Sequence, residues 1–78
     1  MSPVFQIVDS KENSLNVRNI SKDGYHLYQL TSAQGHYAEI YYRREDKTWI
    51  ITFSPDHTPK WEYDIQEVGK LIKTRLLF

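Results

Sequence analysis

The chain of 78 residues carries ten basic and ten acidic side chains, a balance that gives no long-range attraction for a polyanion and leaves any nucleic-acid contact to a local patch. Apolar residues at 40% and aromatic residues at 14% suffice for one folded domain over residues 1–78 and argue against disorder. The lack of cysteine excludes a disulfide framework and a thiolate zinc site, and favours a cytoplasmic setting. The start, Met1-Ser2-Pro3-Val4-Phe5, has no signal-peptide pattern, and no stretch approaches the ~20 apolar residues of a membrane span.

Val4 to Val8 is a β-branched and aromatic run that predicts a first strand, closed by the polar stretch Asp9 to Ser14. Leu15-Asn16-Val17-Arg18 alternates apolar and polar and predicts a second. Asp23-Gly24 is a pair favoured in type I′ turns, where both central residues need positive φ. A hairpin turning there sets Val17 opposite Leu30 and Arg18 opposite Gln29. Further strands are predicted over 25–31, 37–43 and 48–54, joined by Ala33-Gln34-Gly35, with the glycine in the left-handed position, and by a turn at Glu45-Asp46.

Strand side chains alternate between faces, so this register divides the sheet sharply. Tyr28, Leu30, Ala38, Ile40, Tyr42, Trp49, Ile51 and Phe53 fall on one side. Tyr25, Leu27, Gln29, Tyr37, Glu39, Tyr41, Arg43, Thr48, Ile50 and Thr52 fall on the other. A slip of one residue would bury Glu39 and Arg43, so the pattern itself guards the register.

Ile65, Val68, Leu71, Ile72 and Leu76 recur at helical spacing, with Lys70, Lys73 and Arg75 toward the C-terminus, where cations suit the helix dipole. The start of this helix admits two readings. Thr58-Pro59 supplies an N-cap and a first-turn proline, with Trp61 joining the apolar stripe. Alternatively Asp64 is the cap, with Glu67 as a capping-box-like partner and Trp61, Tyr63 and Ile65 in a short extended segment. Gly69 lowers helix propensity by about 1 kcal/mol relative to alanine and permits a close approach to the sheet. The fold expected is α+β: an antiparallel sheet of four to five strands in meander-like hairpins, packed on one C-terminal helix.

Chemistry-bearing motifs are sparse. No serine lies in a Gly-x-Ser-x-Gly elbow, and no Gly-x-x-x-x-Gly-Lys loop is present. His26, His36 and His57 lie in separate segments without metal-ligand spacing, and each is expected to be partly solvated. The expectation is a protein without catalysis, cofactor or metal. What remains is the face away from the helix, whose candidate binding residues are Arg18, Lys22, Tyr25, Leu27, Tyr37, Glu39, Tyr41, Arg43 and Ile50. Tyrosine and arginine around an apolar centre suit a protein partner, as in a small stoichiometric inhibitor or adaptor of the phage or mobile-element type. The alternative is a stacking platform for single-stranded nucleic acid, against which Glu39 and the zero net charge both argue. A homodimer through the same face or an edge strand is a further option.

Overall fold

The computed structural model describes residues 4–56 and 60–77. Five strands precede one helix: β1 (Val4–Val8), β2 (Ser14–Asn19), β3 (Leu27–Ser32), β4 (Tyr37–Arg43), β5 (Thr48–Phe53) and α1 (Ile65–Leu76). Each strand pairs antiparallel with the next, giving the meander order β1-β2-β3-β4-β5. The sheet therefore has the expected α+β architecture, with five strands. Among the described residues no helix is long and apolar enough to cross a membrane.

Turn chemistry sets the registers. Asp23 and Gly24 both take positive φ, and the Tyr25 amide donates to the Lys22 carbonyl at 2.9 Å, closing the two-residue hairpin. Val17 then faces Leu30 and Arg18 faces Gln29, as the turn predicts. At the next hairpin Gly35 has φ +91° and its amide donates to the Ser32 carbonyl, while the Ser32 amide donates to the His36 carbonyl. The β1–β2 loop repeats this hydrogen-bond pattern with Glu12 in the left-handed position and Asp9 and Asn13 as the closing pair. The Asp9 carboxylate accepts from the Lys11 and Asn13 amides and from the Asn13 side chain, and these bonds, that of the Asn13 side chain foremost, hold its pKa below the usual carboxylate range.

Three details depart from the sequence expectation. β3 begins at Leu27 rather than Tyr25: the Leu27 carbonyl still accepts from the Ile20 amide, but the Leu27 amide is diverted from the ladder to the Ser21 hydroxyl, which also donates to the Leu27 carbonyl. β5 ends at Phe53 and carries an irregularity: Ile40 faces Ile51 but Glu39 faces Phe53, leaving Thr52 as an extra residue whose hydroxyl donates to the Glu39 carbonyl. One inserted residue reverses the faces beyond it, so Phe53 joins the side away from α1 and is 50% exposed. Ile51 keeps the face of Ile40, yet on this edge strand it is 41% exposed.

The helix starts at the second of the two predicted positions. Asp64 has extended backbone and its carboxylate accepts from the Gln66 and Glu67 amides. Thr58 and Pro59 lie outside the described residues, and Trp61 is buried ahead of the helix in a segment that forms no strand. Glu67 does not turn back on the cap. Its carboxylate accepts from the Ser10 amide and hydroxyl, fastening the first helical turn to the β1–β2 loop.

One face of the sheet packs with α1 into the core, which contains Leu15, Val17, Tyr28, Leu30, Ile40, Tyr42, Trp49, Trp61, Val68 and Ile72. The Trp49 ring lies against Tyr28 and Tyr42, with centroids 5.7 and 5.0 Å away. Gly69 also lies against it, and a Cβ there would fall well inside van der Waals contact with the indole. Beside it the Gln66 amide grips the backbone of Trp49, donating to the carbonyl at 2.8 Å and accepting from the N–H at 3.2 Å. Alanine at position 69 gains about 1 kcal/mol of helix propensity but overpacks a site where such insertions cost about 1–3 kcal/mol. Gly69→Ala is therefore expected to lower the denaturant midpoint. An unchanged or raised midpoint would show that helix and sheet separate at no cost.

Candidate functional site

The face away from α1 is ordered by the strand registers into cross-strand rows. Leu27, Tyr41 and Ile50 stand side by side across β3, β4 and β5. The adjacent row runs from Arg18 through Gln29 and Glu39 to Phe53, and the next places Thr31 beside Tyr37. Leu27, Tyr37, Glu39, Tyr41 and Ile50 are all partly buried by their neighbours, while Arg18, Lys22, Tyr25 and Arg43 are exposed. Of the nine residues expected here, the sheet brings Leu27, Tyr41 and Ile50 into one apolar row and sets Tyr37, Glu39 and Arg18 beside it. Tyr25 lies in the hairpin turn rather than the strand, but its ring rests against Tyr41 at 5.9 Å, so it extends that row. Lys22 sits at the same turn, bridged to Tyr25 through the backbone.

Glu39 and Arg43 of this face are engaged within the chain. The Tyr37 hydroxyl donates to the Glu39 carboxylate at 2.8 Å, and the Tyr37 ring meets Phe53 edge-on at 6.2 Å. Burial first, and then the neighbouring Glu39 carboxylate, push the Tyr37 phenol up to about 12. Arg43 donates from Nε and Nη2 to Asp46, and the Thr48 hydroxyl donates to the same carboxylate. Those bonds, Arg43 foremost, hold the Asp46 carboxyl well below the usual carboxylate range. Both partners of the Arg43–Asp46 pair are close to half exposed, so it directs the hairpin tip more than it stabilises the fold.

Phe53 is the member that alternation alone assigns to the wrong face. Its signal would have been the bulge, and nothing in Thr48-Trp49-Ile50-Ile51-Thr52-Phe53 marks Thr52 as the extra residue.

The histidines differ from one another. His26 is partly exposed, with Nδ1 3.3 Å from the Tyr28 hydroxyl and Nε2 accepting from Arg44. Burial, then the charges of Arg44 and Lys73, lower its pKa. His36 is only 8% exposed, contrary to the solvated position expected, because the rings of Trp61 and Tyr63 close over it. Its Nδ1 lies 2.9 Å from the Ser32 hydroxyl and 3.2 Å from that of Tyr63, and its Nε2 lies 3.8 Å from Glu62. This resembles a nucleophile, base and carboxylate in line, but the Ser32 oxygen also accepts the His36 amide and so serves as the lock of its own hairpin loop. His57 lies outside the described residues. Among those residues no group of three or more histidines or acids is placed to hold a metal ion.

Compared with known proteins, the chain matches no family model, no curated sequence and no solved structure.

The Tyr37–Glu39 bond has a pH signature. The folded-state pKa of Tyr37 stands above its ordinary value of 10.0, so its contribution to stability is complete below that value and is lost as pH rises through about 12. Glu39→Gln removes the charge that opposes ionisation but leaves the burial, which is the larger cause, so the Tyr37 step in the alkaline titration of tyrosinate absorbance should move part of the way toward 10. An identical titration in wild type and variant would contradict the assigned bond.

Proposed function

We propose that this chain is a non-catalytic protein-binding module, a small stoichiometric inhibitor or adaptor that docks through the sheet face away from α1. One observation carries the reading. Glu39 and Arg43 on this face are satisfied by partners within the chain, and what stays partly uncovered is the apolar row of Leu27, Tyr41 and Ile50, flanked by the exposed Tyr25 and Phe53. An uncovered apolar and aromatic patch with a polar rim is the usual mark of a protein interface, and tyrosine supplies contact area at low entropic cost. Paired charges at the rim need not be stripped of their partners when a protein surface covers the centre.

A single-stranded polynucleotide would meet the Glu39 carboxylate in the middle of the platform and only Arg18 and Lys22 as outward cations of the set, which disfavours it. The lack of cysteine makes a cytoplasmic setting part of the same proposal.

The test is site-directed photo-crosslinking in host lysate. A crosslinking residue in place of Ile50 is expected to give one protein adduct of defined mass, competed away by excess wild type but not by Tyr41→Ala. The same residue in place of Lys70, exposed on α1, should give no such adduct. The reading fails if the two positions label alike, or if position 50 gives no adduct while labelled single-stranded DNA or RNA binds with strong salt dependence.

A further inference from the structure

The two edges of the sheet are treated differently. On β5 the backbone groups of Trp49 point away from β4 and are taken by the Gln66 amide, and the ladder beyond is broken by the extra residue at Thr52. These are devices that keep an edge strand from recruiting another chain. On β1 there is nothing equivalent. The bond from the Asp9 amide to the Asn13 carbonyl fixes which β1 residues face β2, and by alternation Ile7 and Phe5 follow. The N–H and C=O groups of Val4, Gln6 and Val8 therefore point outward, and no described residue bonds to them. β1 has no charge and no proline, and Val4 and Val8 are 56% and 54% exposed.

The sequence of this edge is self-complementary. A two-fold axis through Gln6, perpendicular to the sheet, lays β1 antiparallel on a second β1 with Gln6 facing itself. Val4 then meets Val8 on the side away from the helices, and Phe5 meets Ile7 on the helix side. Every cross-strand pair is apolar with apolar or amide with amide, and each outward-pointing residue exchanges two backbone hydrogen bonds. Either neighbouring register would set Gln6 against an apolar residue or leave Val4 or Val8 unpaired.

We propose that the chain forms an isologous dimer through β1, joining two five-stranded sheets into one continuous sheet. Both helices lie on the same side of it, and the two faces proposed to bind a partner lie side by side on the other. The occupant of the open edge is thus a second copy, selected by the near-palindrome Val-Phe-Gln-Ile-Val. This inference rests on the edge alone and does not require the docking role of the opposite face.

Sedimentation of the full chain tests it. Wild type is expected to sediment reversibly between 9.3 kDa and twice that mass as concentration rises. Gln6→Lys sets like charges against each other at the axis and should weaken dimerisation several-fold, more at low salt. Gln6→Glu should do the same alone, and mixing the two variants should restore association, because only a residue lying on the two-fold axis meets its own counterpart. Gln6→Pro removes an outward amide without touching the β1–β2 ladder and should abolish the dimer. Circular dichroism on each variant shows whether the fold is retained, and the mixing experiment reads pairing even if the proline variant unfolds. A wild-type chain that stays monomeric at every concentration overturns the proposal, and so does a dimer indifferent to Gln6→Lys or not rescued by mixing.

Discussion

Helix α1 can seat on the sheet only where its backbone comes within reach of the Trp49 indole, and Gly69 is what lets it do so. The close approach brings Gln66 onto the edge of β5 and Val68 and Ile72 into the core, while Glu67 reaches Ser10 on the far loop. With the helix held at these points, the apolar residues of five strands are covered on one side. No described element covers the opposite face, and its composition becomes the main clue to what the molecule does.

That composition is neither a core nor an inert solvated sheet. Tyr37 and Glu39 satisfy each other, Arg43 is tied to Asp46, and Leu27, Tyr41 and Ile50 remain partly uncovered between them. With Glu39 at its centre, such a surface offers little attraction for a polyanion. The same economy appears at the edges, where one strand is shielded by a glutamine side chain and a bulge and the other is bare. The proposed binding face and the open edge are separate features, yet pairing through β1 would place two such faces in one plane and make a bivalent surface from a small chain.

Much of this was legible in the sequence because turns and alternation are local. Asp23-Gly24 and Gly35 fixed the registers of β2, β3 and β4, and those registers chose the faces of Tyr28, Ile40 and Tyr41. The fourth hairpin turns at the predicted acidic pair. What escaped was non-local. The extra residue at Thr52 exists only in relation to Glu39 on the neighbouring strand, so a run that alternates cleanly still puts Phe53 on the other face. Glu12 occupies a left-handed position at which glycine or asparagine would have announced the turn. Burial of His36 depends on Trp61 and Tyr63, 25 and more residues further along the chain, and the grip of Gln66 on Trp49 is equally invisible from spacing. Capping chemistry at Asp64 could be read, but not that Glu67 would turn to Ser10 instead of the cap.

If the proposed reading is right, the helix side supplies most of the fold's stability and the opposite face is free for a partner. Denaturant unfolding of a triple variant, Leu27→Thr, Tyr41→Thr and Ile50→Thr, tests it most directly, since threonine keeps strand propensity while removing the apolar row. The account predicts one cooperative transition with an unchanged denaturant slope and only a modest fall in midpoint. Loss of the cooperative transition would mean that this face is part of the core, and the surface assigned to binding would then be structural.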